Sequence, residues 1–410
     1  MKNDLLNILY LCADSGIPYG GTKGGSIHMR EIVSCFSLKN CNVIVIAREA
    51  SDYLPENAGY SAYNLPNASA EGILPFLKDL PGEYRLKSEF EDFLRNPEIE
   101  NLLEKIYAQN RFDVVYERYS LFNTAGLRFC RKHEIPHILE VNAPLVSEAT
   151  NYRRLALSRI AQAVEDRLFV DTDHIIAVSN ELREYITDKQ PNAQVTVVPN
   201  GVRVDHFSSS RHKPDSLGND KFTIGFLGSL KPWHGVEILI DSFAAMAERH
   251  DDYRLLIIGD NKKTGGWPEK RCRDLKIDGK VTFTGAVDYD KIPELLQEAD
   301  VLVAPYPGMD NFYFSSLKIF EYMAAGKAIV ASNIGQISSV LTHEKTALLV
   351  QPGDTISLRK ALEKLKDNPD LRRRLGERAQ IEARTRHTWS QRADKILDAI
   401  RKLEKRNYRI

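Results

Sequence analysis

Short apolar runs rich in β-branched residues, each followed by a longer stretch of helical period, recur from one end of this chain to the other. That alternation confines it to βα units, in which parallel strands are buried on both faces by crossover helices. In the first half the expected strands are Asn7 to Cys12, Asn42 to Ala47, Asp113 to Glu117, His137 to Val141, His174 to Val178 and Gln194 to Val198. The second half repeats the theme at Phe222 to Leu227, Arg254 to Ile258, Val281 to Thr284, Val301 to Ala304, Ala328 to Ala331 and Ala347 to Val350. Two doubly wound sheets follow, and a chain of 410 residues exceeds what one core supports. The division is set at 205/206, giving domains of residues 1–205 and 206–387, with a charged last helix within residues 388–410, from near Trp389 to about Arg406, packing back on the first domain. Ser208 to Asp220 holds Ser, Pro, Gly and charge without period, and is the expected linker, a hinge about which the domains close. Asp52 to Pro97 is long, Pro-rich and weakly periodic, as insertions that shape a functional site often are.

The 56 Lys and Arg balance 56 Asp and Glu, so no global field draws nucleic acid or an anionic membrane to the chain. Five cysteines, Cys12, Cys35, Cys41, Cys130 and Cys272, are scattered, most of them in apolar runs. They read as small buried hydrophobes of a reducing compartment, without the spacing of a disulfide framework or a zinc site. The apolar segment Leu5 to Cys12 is too short for a signal-peptide core or a membrane span. The expected location is therefore the cytosol, with peripheral membrane contact still open.

Four segments carry chemistry. Gly20-Gly21-Thr22-Lys23-Gly24-Gly25-Ser26 lies between the first strand and a helical pattern. Glycines let backbone approach a ligand, and free N–H groups at a helix start attract anions, although a surface turn explains the same residues. Lys23 precedes the last glycines, so this is not a Walker A loop. Val197-Val198-Pro199-Asn200-Gly201-Val202 is a strand ending in a turn. Gly228-Ser229-Leu230-Lys231-Pro232-Trp233-His234-Gly235 offers an anion site at a strand end, with Lys231 and His234 as its cations; the plainer reading is a solvated lysine and a capping histidine. In the fourth, Ser315 or Ser316 can cap a helix whose first N–H groups point at phosphate, Glu321 can accept from two vicinal hydroxyls, and Gly326 ends the helix.

These segments, together with Ile257-Ile258-Gly259-Asp260, Val281 to Gly285, Ala299-Asp300-Val301 and Leu317 to Gly326, resemble family 4 of the glycosyltransferases over nearly the whole chain, most strongly from Val197 to Gly353. The resemblance implies an α/β chain of the GT-B fold, two Rossmann-like doubly wound domains facing a central cleft, and transfer with retention. It implies a donor held mainly by the second domain. Glu321 matches the ribose-binding glutamate, the backbone of Ser316, Leu317 and Lys318 matches the helix start that receives the diphosphate, and Gly24 and Gly25 match the loop that closes over it. Asp260 and Gly285 to Val287 correspond to the nucleobase pocket.

The chain also departs from the family. Ser229 and His234 stand where an Arg and a Lys are common, Tyr313 replaces the first of two glutamates, with Asp310 or Asn311 as substitutes, and Arg118 falls where many relatives place a histidine. Glu117 and Arg118 end one strand, and Glu140 and Asn142 end its neighbour; they line an active site or form an internal ion pair.

The expected reaction moves a hexose-type sugar from a nucleotide diphosphate sugar, UDP or GDP, to an acceptor hydroxyl. It needs no cofactor and no metal, since the leaving phosphate takes the proton and helix N-termini with Lys231 and His234 stabilise its charge. Arg118, Glu117, Lys231 and His234 are the catalytic candidates; Gly24, Gly25, Ser229, Asp260, Val287, Tyr313, Ser316, Leu317, Lys318 and Glu321 bind donor; His28, Glu140 and Asn142 face the acceptor. Asp171-Thr172-Asp173 has the form of a metal motif but reads as an acidic turn. Tyr152, Arg153, Arg154 and Arg159, with Leu155, Leu157 and Ile160, suggest an amphipathic basic helix for a glycan, lipid-linked or small natural-product acceptor. Two alternatives are a nucleotide-sugar epimerase or hydrolase, drawing on Glu117, Glu140 and His28, and a non-catalytic nucleotide-sugar binding protein.

Overall fold

Burial on both faces turns the apolar runs into strands. Asn7–Cys12 (β1), Asn42–Ala47 (β2), Ser61–Asn64 (β3), Val114–Arg118 (β4), His137–Val141 (β5), His174–Ala177 (β6) and Val195–Val197 (β7) form one parallel sheet in the order β3-β2-β1-β4-β5-β6-β7. Phe222–Leu227 (β8), Tyr253–Ile258 (β9), Val281–Phe283 (β10), Val301–Ala304 (β11), Ala328–Ser332 (β12) and Leu348–Val350 (β13) form a second, in the order β10-β9-β8-β11-β12-β13. The twelve expected strands are all present. β3 is an addition: it pairs with β2 along the sheet edge and is only half buried, so it carries no apolar run to read.

This computed structural model describes residues 5–54, 58–68, 84–208, 221–260, 262 and 264–407. All but the first residue of the expected linker, and residues 55–57 and 69–83 of the expected insertion, lie outside the described residues. The chain forms two compact units, Met1–Pro199 with Trp389–Ile410, and Asn200–Thr388. The division thus falls earlier than 205/206, because Val202, Val204 and Phe207 enter the core of the second unit and Val202 N donates to His387 O at 2.9 Å. The last helix, Trp389–Asn407, belongs to the first unit; Lys39 Nζ meets Asp394 Oδ1 at 2.7 Å, and the Trp389 ring meets His28 edge-on at 5.1 Å.

Each sheet has one point where the strand order runs outward in both directions. In the first, β1 lies between β2 and β4; in the second, β8 lies between β9 and β11. Open parallel sheets bind ligands outside the carboxyl ends of such strands, because the loops there diverge to opposite faces and leave a crevice. The glycine loop follows β1 and Arg118 ends β4, while Gly228 to Gly235 follows β8 and the helix Leu317–Ala325 lies beyond β11. All five cysteines are buried and none is in a disulfide. Among the described residues, no helix is long and apolar enough to cross a membrane.

Candidate functional site

In the second unit β8 and β9 are followed immediately by Gly228 (φ 143) and Gly259 (φ 153). A β-carbon on Gly259 would lie 2.0 Å from Gly228 O, so only glycine lets these strand ends approach. Beyond β11 the chain passes through Tyr306 and an aromatic loop to the helix Leu317–Ala325. Neither serine caps that helix, contrary to expectation. Ser315 Oγ accepts from Asn200 N at 2.8 Å and its carbonyl from Asn200 Nδ2 at 2.5 Å, while the Ser316 hydroxyl is bonded to Tyr306 OH at 2.7 Å. The first-turn N–H groups therefore stand at the carboxyl edge of the sheet with no side-chain cap and no acidic neighbour in that turn. Tyr322 OH accepts from Leu227 N at 2.8 Å and donates to Val303 O at 3.2 Å, which locks the helix onto β8 and β11.

Two ionisable side chains of this helix are buried, Lys318 at 7% exposure and Glu321 at 5%, three residues apart and so on one face. Lys318 Nζ has no hydrogen-bond partner, lies 4.3 Å from the centroid of Phe226 and 5.3 Å from that of Tyr306, and points at Gly228. Burial pulls its pKa down to about 7, against the opposing pull of the Glu321 carboxylate.

His234 is not the expected cation. Its Nδ1 donates to Ser229 O at 2.5 Å, and burial, with the charges of Lys318 and Lys231, takes its pKa down to about 3, so the ring is neutral at pH 7. Lys231 is exposed and lies 4.7 Å from the Trp233 ring centroid. Tyr313 is buried against Phe314 at 4.3 Å, whereas Asp310 and Asn311 are exposed. Asp260 is exposed just past β9, its Oδ1 accepting from Lys262 N at 3.0 Å, and Val287 packs on the core past β10.

In the first unit the helix Gly24–Leu38 also starts without a side-chain cap, its N-cap position being Lys23, and Ser26 Oγ in its first turn donates to Pro18 O at 2.7 Å. A β-carbon on Gly25 would lie 3.6 Å from Arg118 Nη2, which brings the glycine loop and the end of β4 together. Glu140 Oε1 is the meeting point of this cluster: His28 Nε2 is at 2.5 Å, Asn142 Nδ2 at 2.6 Å and Arg118 Nη1 at 3.4 Å. Burial alone would raise the Glu140 pKa, but His28 and then Arg118 overcome it and hold the carboxylate at about 2. Arg118 is in turn held charged by Glu140 against its own burial.

Glu117 is a correction. Alternation along β4 sends it to the other face from Arg118, where its carboxylate accepts from Asn123 Nδ2 at 2.7 Å and meets His137 Nε2 at 3.0 Å, with no exposure. It braces β4 against β5 and the helix Ala125–His133 and does not reach the sheet edge where Arg118 stands. Asp171 and Asp173 lie at the opposite, amino end of β6. Asp171 pairs with Arg167, and Asp173 accepts from His137 N at 2.9 Å and pairs with Arg131 at 3.3 Å. The expected single basic helix is two, Leu145–Arg153 and Ser158–Asp171, broken at Arg154 in a left-handed conformation, where Glu89 accepts from the Ala156 and Leu157 N–H groups at 3.1 and 2.7 Å. Tyr152, Arg153, Arg154, Arg159 and Ile160 are nonetheless all exposed, and Leu155 and Leu157 pack inward.

Sequence reasoning missed the Lys318 side chain, the Asn200 clamp on Ser315 and the Trp389 ring against His28. The only local signal for the first was a lysine three residues before Glu321 within an apolar helix.

Residues 22–206 match the model described as Glycosyltransferase Family 4, and residues 209–382 that of Glycosyl transferases group 1. A phosphatidyl-myo-inositol mannosyltransferase of Mycobacterium leprae (strain TN) is 33% identical over 225 residues, 54% of this chain and 57% of that protein, so the match spans less than two thirds of the relative. Sucrose-phosphate synthase from Thermosynechococcus elongatus has a TM-score of 0.76 and 17% identity, covering 98% of this chain and 99% of that one. Anabaena HepE in complex with UDP and glucose has a TM-score of 0.72 and 18% identity, covering 96% and 99%. At these identities the structural likeness is one of fold.

Proposed function

We propose a reaction from one premise: the chain belongs to glycosyltransferase family 4, with matches over residues 22–206 and 209–382, and has the GT-B fold of two Rossmann-like domains. The reaction is transfer of a hexose-type sugar from a nucleotide diphosphate sugar to an acceptor hydroxyl, with retention and without a metal. The observation that carries this reading is the uncapped start of the helix Leu317–Ala325 at the switch point of the second sheet, with Glu321 buried on the same helix. In this reading the N–H groups of Leu317 and Lys318 receive the diphosphate, and Glu321 accepts from the two ribose hydroxyls. Tyr313 and Val287 shape the surroundings of sugar and base, and Gly24 and Gly25 begin a second uncapped helix for anion contact.

As the anomeric bond breaks, negative charge grows on the departing phosphate, where fixed N–H dipoles stabilise it without reorganisation. That phosphate then accepts the proton of the acceptor hydroxyl, so no separate protein base is needed. Arg118, kept charged by Glu140, and His28 provide polar groups for sugar or acceptor. The epimerase and hydrolase alternative loses Glu117 as an acid or base, because its carboxylate is enclosed by His137 and Asn123. The exposed Tyr152, Arg153, Arg154 and Arg159 favour an anionic or lipid-linked acceptor, with peripheral membrane contact.

HepE was solved with UDP and glucose, so UDP-glucose is the first donor to try. Thermal stabilisation and slow hydrolysis are measured in EDTA across UDP-, GDP-, ADP- and dTDP-sugars, with Glu321→Ala as control. One donor stabilises the protein and releases nucleotide, and Glu321→Ala loses both effects. A donor that binds without turnover, even with acceptors supplied, supports the binding-protein alternative. Binding that requires a divalent cation overturns the metal-free reading.

A further inference from the structure

The helix Leu317–Ala325 presents backbone dipoles to an anion, but dipoles alone leave most of a diphosphate's charge unopposed. The cations expected after β8 are not there to do it. Residue 229 is a serine, the His234 ring gives its Nδ1 proton to Ser229 O, and the exposed Lys231 lies over the ring of the half-buried Trp233. Lys318, by contrast, is buried beside the helix start, with an amine that has no hydrogen-bond partner and is aimed at the bare backbone of Gly228. A buried amine without a partner is destabilising, and an anion placed at the strand end completes its hydrogen bonding.

We propose that Lys318 Nζ binds the diphosphate of the donor directly, and that the amine takes up a proton as the diphosphate arrives. This rests on the donor-site reading above and assigns to one side chain the charge neutralisation that the rest of the loop lacks. The groups facing the amine are the Glu321 carboxylate on its own helix, the neutral His234 ring from the loop after β8, the Tyr306 hydroxyl bonded to Ser316, and the Phe226 ring.

The sign follows from these surroundings. Before ligand arrives, burial has brought the amine's pKa from 10.5 to about 7. A diphosphate within contact favours the charged form and raises it. Between pH 7 and the usual lysine range, binding therefore draws a proton from solution, and affinity falls as pH rises through that window. Below pH 7 the amine is already charged and the uptake disappears.

The test titrates the full chain with UDP, GDP, ADP and dTDP, and with the nucleoside of whichever binds. Calorimetry at pH 8 in two buffers of different ionisation enthalpy reads the proton count. Wild type takes up close to one proton with the diphosphate and none with the nucleoside. Lys318→Met binds the nucleoside as wild type does, binds the diphosphate roughly 30-fold or more weakly, and takes up no proton. It melts no lower than wild type, since the variant removes an unpaired buried amine. Equal diphosphate affinity in the two proteins, uptake that persists in Lys318→Met, or a lower melting temperature of the free variant overturns the role of Lys318 while leaving the donor site standing. Failure of wild type to bind any of the four diphosphates overturns the donor-site reading and this inference with it.

Discussion

The amine of Lys318 and the missing side chain of Gly228 share one space: a β-carbon at Gly228 would stand 2.7 Å from Nζ, closer than a β-carbon comes to an atom it is not bonded to. The glycine also holds φ 143, a conformation that side chains avoid. Gly228→Ala is therefore expected to strain the turn by about 1–3 kcal/mol and to push the amine aside. Melting temperature falls, and affinity for the nucleoside diphosphate drops more than that for the nucleoside. Titration of both ligands checks this, and parallel losses would contradict it.

Glu140 couples acid stability to the cluster at the end of β5. Its folded pKa of about 2 lies below the ordinary 4.5, so its contribution to stability is complete above pH 4.5 and is lost as pH falls toward 2. At ~1.36 kcal/mol per unit the contribution is about 3 kcal/mol. Glu140→Gln is expected to flatten the fall in stability over that window, and to destabilise the protein at pH 7 because the buried Arg118 loses its counter-ion and His28 its carboxylate partner. Urea unfolding as a function of pH reads both effects.

Glu117 and Arg118 are adjacent in sequence yet part company in structure. Glu117→Ala leaves the His137 and Asn123 side chains without their acceptor in a buried void and is expected to cost about 1–3 kcal/mol of stability for each group left unsatisfied, with turnover per folded molecule retained. Arg118→Gln is expected to do the reverse, lowering turnover more than stability. Turnover normalised to the folded fraction separates the two.

Asn200 holds the approach to the donor helix through Ser315, with hydrogen bonds of 2.8 and 2.5 Å. Asn200→Ala removes the side-chain bond and is expected to cost about 1–2 kcal/mol, seen as a lower melting temperature and a raised KM for donor. A change in kcat alone would contradict a positioning role.

The strands of both sheets were legible because central parallel strands, buried on two faces, leave apolar runs that need no partner to be recognised. β3 was not, since an edge strand paired on one side and half exposed needs neither an apolar run nor alternation. The break at Arg154 was hidden for a related reason: Glu89, distant in sequence, supplies the acceptors that let the helix stop there. At the site, Glu321, Gly326 and the glycine loop were legible because helix ends and glycine conformations are local signals. The separation of Glu117 from Arg118 was also implicit in strand alternation, although their chemistry suggested a pair.

By itself, the sequence determined two parallel sheets and the helix that carries Glu321, both of which depend on short-range periodicity and local backbone preference. Tertiary structure alone decided which ionisable groups stay charged. His234 is neutral, Glu140 is held ionised and Lys318 is poised near neutrality because burial and charged neighbours set the free energy of an ion, and those neighbours come from distant parts of the chain.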